Sequence, residues 1–113
     1  MIDSVKRKQL RRLRLLQWLQ HVEGEWLAAP LLLKLLQDDP DLNPDLVKVL
    51  RSLIWLEDQG LADVRVVDGL DDEATTFARI SEWGNDWLNA DLGILEGIMH
   101  PNDGVWLEVS SDA

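Results

Sequence analysis

The chain has 113 residues, of which 46% are hydrophobic, and its 21 acidic and 11 basic residues give a formal charge of −10. One domain of this length buries about two thirds of its unfolded surface, so a real core is expected. The absence of cysteine excludes a disulfide scaffold, a thiolate zinc site and a cysteine nucleophile. The acidic total argues against a generic polyanion binder, and no apolar run approaches the ~20 residues that span a bilayer.

Leu10, Leu13, Leu16, Leu19 and Val22 recur at helical spacing, and Leu15 and Trp18 widen the stripe, which predicts a first helix over residues 4–22. Its basic residues fall mostly on the other side of the wheel. Arg11, Arg12 and Arg14 also interrupt the leucines, so no continuous signal-peptide core exists and a cytoplasmic location is expected. Residues 26–28 suit a minimal strand. Pro30 then suits the first position of a short second helix reaching residue 37, where its missing amide costs nothing. That helix should stop at Asp38, Asp39 and Pro40, because a proline disfavours helical geometry in the residue before it.

A third helix is framed by Asn43 as its cap, Pro44 in the first turn and Asp45 at the positive end of the dipole. Gly60 makes a left-handed stop, with Leu61 folding back as an apolar contact. Val49, Leu53 and Leu56 share one face, and Leu46, Leu50 and Ile54 broaden it, so this helix should be sandwiched or engaged with a partner. Residues 62–67 and 75–80 read as two strands of a hairpin, joined by a polar turn containing Gly69. Ser81 caps a fourth helix running to about residue 90, and residues 93–99 continue it more weakly. A turn cluster at 100–104 precedes a short strand at 105–109, and residues 110–113 are expected to be disordered. With no linker or repeat, the reading is one domain over 1–109, with a core at 1–92 and an extension at 93–109. The expected fold class is mainly α with a small β-hairpin.

Charge is unevenly placed. Residues 1–22 hold Lys6, Arg7, Lys8, Arg11, Arg12 and Arg14 against the single acid Asp3, giving +5, and the remainder carries −15. The molecule is an electrostatic dipole, a basic first helix on an acidic body.

Three helices followed by a hairpin and a further helix is the element order of a winged helix-turn-helix domain. The run LIWLEDQGL at residues 53–61 resembles the end of the recognition helix in ArsR, MarR and PadR-type regulators, where a leucine-rich helix closes on glycine-leucine before the first wing strand. Residues 80–88, ISEWGNDWL, are similar to the step from the second wing strand into the next helix. The tryptophan before LEDQGL, together with WLNADLGIL at 87–95, resembles small ArsR-like proteins of Mu-like prophages. The general resemblance covers residues 5–90. It speaks more for fold than for function, because winged helices also serve as protein-binding modules.

The resemblance implies that the outward face of helix three, with Asn43, Asp45, Lys48, Arg51, Ser52 and Trp55, enters the major groove of double-stranded DNA. Arg51 would read guanine and Lys48 would meet a phosphate. Lys8, Arg11 and Arg12 in the basic first helix are the remaining phosphate contacts. Against this, two cations on helix three are few, and Asp45, Glu57 and Asp58 oppose binding. The wing departs from the family pattern too, offering Asp68, Asp71, Asp72 and Glu73 flanked only by Arg65 and Arg79. Either the wing faces away from DNA or the domain binds a basic protein surface. Simpler readings stand beside these. Lys48 and Arg51 would be solvated or ion-paired, and the basic segment would be the solvated face of an amphipathic helix or would dock on a second copy's acidic body.

Of six tryptophans, Trp18, Trp55, Trp83, Trp87 and Trp106 fall on amphipathic elements and are expected in the core or a homodimer interface; Trp26 is assigned to neither. Enzyme readings fail on inventory. His21 and His100 lack metal-helix spacing, and there is no phosphate loop or nucleophile elbow. Asp39, Asp41 and Asn43 imitate the start of a calcium loop, but Pro44 and Leu50 stand where glycine and glutamate are needed. Asp71 and Asp72 form a carboxylate pair with no expected burial to tune it. No cofactor or metal is expected. The leading expectation is a dimeric, phage or prophage-type DNA-binding regulator, and the alternative is an acidic protein-interaction module or DNA-charge mimic.

Overall fold

The computed structural model describes residues 4–39, 42–68, 74–90 and 93–101. Among them are four α-helices and one small antiparallel sheet: α1 (Ser4–His21), β1 (Leu27–Ala28), α2 (Ala29–Leu36), α3 (Leu46–Asp58), β2 (Ala62–Asp68), β3 (Ala74–Ile80) and α4 (Glu82–Ala90). No helix among the described residues is long and apolar enough to cross a membrane.

The hairpin forms with Ala62 opposite Ile80 and Asp68 opposite Ala74. The sheet is larger than the hairpin, however. β1 pairs with β3, Leu27 opposite Ala78 and Ala28 opposite Phe77, giving three strands in the order β1-β3-β2. Two residues suffice for β1 because β3 presents a free edge that a short extended segment satisfies.

α2 begins at Ala29, one residue before the expected proline, and Ala28 makes no side-chain cap hydrogen bond. α3 begins two residues later than its sequence signals suggest. Asn43 takes a left-handed backbone (φ 44°) and Pro44 lies outside the helix. Asp45 is the cap instead, with Oδ1 accepting from the Lys48 amide at 2.8 Å. Aspartate caps as well as asparagine, and the extended backbone of Asp45 puts its carboxylate within reach of the third helical amide.

The far end of α3 closes as expected. Gly60 sits at φ 78°, its amide donates to Glu57 O at 2.9 Å, and the Leu61 amide donates to Leu56 O at 2.9 Å. These two bonds make a Schellman closure and bury Leu61 completely. Ser81 builds on it, because its hydroxyl donates to Gly60 O at 2.6 Å and accepts from the Gly84 amide at 3.0 Å. One residue thus caps α4 and ties it to the end of α3.

α1 is the centre of the domain. α2, α3, β3 and α4 all pack on it, and Leu13, Leu15, Leu16 and Leu19 have no exposed surface. They meet Leu32, Leu36, Leu42, Val49, Leu53, Leu56 and Leu61 in one core. Residues 93–99 do not continue α4. They form turns that return to α1, where the Met99 amide donates to Gln9 O at 3.3 Å and Ile98 is buried. Trp87 holds the start of this return, donating from Nε1 to Gly93 O at 3.1 Å, and its ring meets His100 edge-on. The expected stop at Pro40, most of the acidic wing turn, Trp106, the strand at 105–109 and the tail at 110–113 lie outside the described residues.

Candidate functional site

The N-terminal part of α1 runs beside the N-terminal half of α3, and a cleft of about 330 Å³ lies between them. Arg7, Lys8, Arg11 and Arg12 line it from α1, Lys48 and Arg51 from α3, and Ser4 and Ser52 add hydroxyls. Among the described residues no carboxylate lines it. Six of the nine residues expected at the DNA interface therefore meet in one place, in a chain whose net charge is −10.

Their environments differ from the expectation. The basic residues of α1 do not form a solvated face: Arg11 is 6% exposed and Arg14 is 7% exposed. Burial follows from the central position of α1, which leaves no side of its middle turns open to water. Arg11 donates from Nη2 to Leu42 O at 3.2 Å, and Arg12 from Nη1 to Gly97 O at 2.6 Å. The Nε donors of both are buried without an acceptor among the described residues.

Burial lowers the pKa of Arg11, Arg12 and Arg14 from the ordinary guanidinium value, because desolvation disfavours the charged form. For Arg11 the Asp45 charge opposes the shift and Arg7 adds to it; for Arg12 the neighbouring Arg11 adds to it. The Asp39 charge opposes it at Arg14, which also donates to Gln17 Oε1 at 2.9 Å.

On α3, Arg51 is exposed at the cleft, as Lys8 is on α1. Lys48 is partly engaged, its Nζ donating to Asn43 O at 3.0 Å and standing 3.7 Å from Asp45 Oδ2. Three of these residues stand elsewhere than on the expected outward face. Ser52 is 3% exposed, so it lines the cleft floor instead of an outward face. Trp55 is half-buried beneath Arg12, whose guanidinium carbon lies 4.2 Å from the ring centroid. Asn43 precedes the helix and offers its carbonyl to Lys48. The outward face of α3 instead presents Leu46, Val47 and Ile54, with Arg51, Glu57 and Asp58 also exposed. Ser4 is the one lining residue with no signal in the sequence, since it carries no charge and belongs to no stripe.

The cations of the β2–β3 hairpin are occupied. Arg65 and Arg79 lie 4.7 and 4.6 Å from the centroid of the Trp26 ring, and Arg79 pairs with Asp63 at 3.1 Å. Trp26 is thus an arginine platform on the sheet. Of the other tryptophans, Trp87 is 2% exposed, Trp18 packs against the core and meets His21 edge-on, and Trp83 is 44% exposed. Among the described residues no group of three or more His, Asp or Glu is placed to hold a metal ion. No protein-family model, curated protein or solved structure matches the chain.

Proposed function

We propose that the protein is a winged helix-turn-helix DNA-binding regulator that grips the duplex through α1 and α3 and not through its wing. The observation that carries this reading is the convergence of four cations from α1 and two from α3 on one cleft, with no acid in its lining among the described residues. A buried cation fixed by a backbone carbonyl loses little side-chain entropy when it meets a phosphate, so Arg11 and Arg12 are already ordered for that contact.

Arg51 is the one exposed cation of α3 within reach of base edges, with Val47 and Ile54 one turn to either side. Such a face reads guanine through the arginine and the thymine methyl through apolar contact, which gives modest sequence discrimination. Asp68 and the cations stacked on Trp26 leave the hairpin little to offer a phosphate. By the same resemblance the regulator is a cytoplasmic homodimer of the prophage type. Light scattering beside gel filtration measures that state directly.

The test is fluorescence anisotropy of a labelled duplex titrated against salt. Each neutralised phosphate contributes about −0.9 to the slope of log affinity on log salt, so three to six contacts predict a slope between about −3 and −5. Absence of binding at low salt sinks the reading. A second reading then takes over, an interaction module that docks a protein on α3. It is favoured by the exposure of Leu46 (41%), Val47 (56%) and Ile54 (52%) on a single helix.

A further inference from the structure

We propose that the cleft between α1 and α3 binds a short polyphosphate chain, free or carried by a nucleotide, held by Lys8, Arg11, Arg51 and the Ser52 hydroxyl. The inference uses the cleft proposed above for duplex contact, but it does not require that DNA bind there.

Three observations lead to it. First, the site is a recess. A volume of about 330 Å³ between two helices admits a small group that enters it. Second, its floor is built from ordered donors in need of an acceptor. Arg11 is 6% exposed and keeps a buried Nε–H with no partner among the described residues, and the same holds for the Nε–H of half-buried Arg12. A buried donor left unmade costs free energy, and a buried cation costs more, until an anion closes the account. Beside desolvation, Arg7 depresses the Arg11 pKa and Arg11 that of Arg12, and a polyanion would relieve that repulsion.

Third, the shape of the charge fits a chain better than a single anion. The cations of α1 extend from residue 7 to residue 12, roughly 7–8 Å along the helix, and Lys48 and Arg51 run beside them on α3. Among the described residues no aromatic ring lines the cleft, so none of them would stack on a base. The phosphates would be recognised and the nucleoside would not.

Isothermal titration of the full chain at low salt tests this, with orthophosphate, pyrophosphate, tripolyphosphate, ATP and adenosine as separate ligands. The expected result is binding of pyrophosphate and tripolyphosphate, orthophosphate weaker by about tenfold or more, ATP equal to tripolyphosphate within about threefold, and no binding of adenosine. Arg51→Glu, at an exposed position, should weaken pyrophosphate by about tenfold or more, whereas Lys34→Glu, exposed on α2 away from the cleft, should leave it unchanged. Circular dichroism confirms that both variants keep the fold. Arg11→Lys keeps the charge but loses the fork, and should also bind less tightly.

The proposal is overturned if pyrophosphate gives no binding up to about 1 mM, if the two charge reversals act alike, or if ATP binds and tripolyphosphate does not. Duplex titration separates the two readings of the cleft. Pyrophosphate binding without duplex binding supports this inference and removes the regulator. Duplex binding that pyrophosphate neither matches nor competes with removes this inference and leaves the regulator standing.

Discussion

The guanidinium of Arg12 lies over the ring of Trp55, its central carbon 4.2 Å from the ring centroid, and the same group donates to the Gly97 carbonyl at 2.6 Å. Three segments distant in sequence are joined through one side chain: α1, α3 and the return that follows α4. Arg12 is therefore a structural residue as well as a cleft-lining one. Arg12→Ala should destabilise the fold by about 1–3 kcal/mol in urea unfolding, because both a cation–π contact and a charged hydrogen bond are lost. In a double-mutant cycle with Trp55→Ala the coupling should be about 0.5–1 kcal/mol. A cycle that closes at zero would mean the two groups are only neighbours.

Gly97 and Gly84 are required for different reasons. A Cβ on Gly97 would stand 2.5 Å from Trp55 Cζ2, at a backbone φ of 98° that L residues avoid. A Cβ on Gly84 would run into the backbone oxygen of Leu61, which cannot move without undoing the closure of α3. At Gly24, with φ 86°, nothing lies within 4 Å. Gly84→Ala should therefore be the most damaging, by about 3 kcal/mol or more; Gly97→Ala should cost about 2 kcal/mol; Gly24→Ala should cost about 1 kcal/mol from backbone strain alone. Thermal melts of the three variants give the order, and Gly24→Ala ranking worst would contradict it.

The Trp26 platform predicts a β2–β3 hairpin that is silent toward DNA. Single changes Arg65→Ala and Arg79→Ala should each cost about 0.5–1 kcal/mol of stability and alter tryptophan fluorescence, since exposed stacking and exposed ion pairs are worth about that much. Duplex affinity should stay within about twofold of the parent at fixed salt. A larger loss from either change would place the hairpin on the duplex and revise the docking mode.

Two exposed cations at the cleft should differ in kind. Arg51→Glu is expected to change which duplexes are preferred, by about 1–3 kcal/mol for a guanine contact. Lys8→Glu should weaken all duplexes alike and make the salt slope shallower by about one. Competition between a guanine-rich and an AT-rich duplex distinguishes these outcomes. Equal preference in both variants would show that α3 reads no bases.

Much of the fold was legible because its signals are local. The closure at Gly60 and Leu61, and the cap at Ser81, each depend on a few consecutive residues with one backbone requirement. The two motifs that resemble winged-helix regulators turn out to touch: Ser81 bonds Gly60, and Gly84 lies against Leu61. The start of α3 was ambiguous for an equally local reason, because Asn43 and Asp45 are both good caps and only the backbone chooses between them. The candidate site was legible in part. The cations could be counted, but helical periodicity assumes one wet face, and it placed Arg11 and Arg14 there when both are enclosed.

By itself, then, the sequence determined the order of the described elements, the closure at Gly60 and the cap at Ser81, and a charge of +5 on the first 22 residues against −15 on the rest. Those properties follow from neighbours along the chain. Only the tertiary structure decided that α1 is surrounded, that Leu27–Ala28 joins the sheet, and that cations from residues 7–12 and 48–51 face one another across a single cleft. Burial and convergence depend on which elements pack on a helix, and that is set by closure of the whole core around α1, a condition no short window of residues contains.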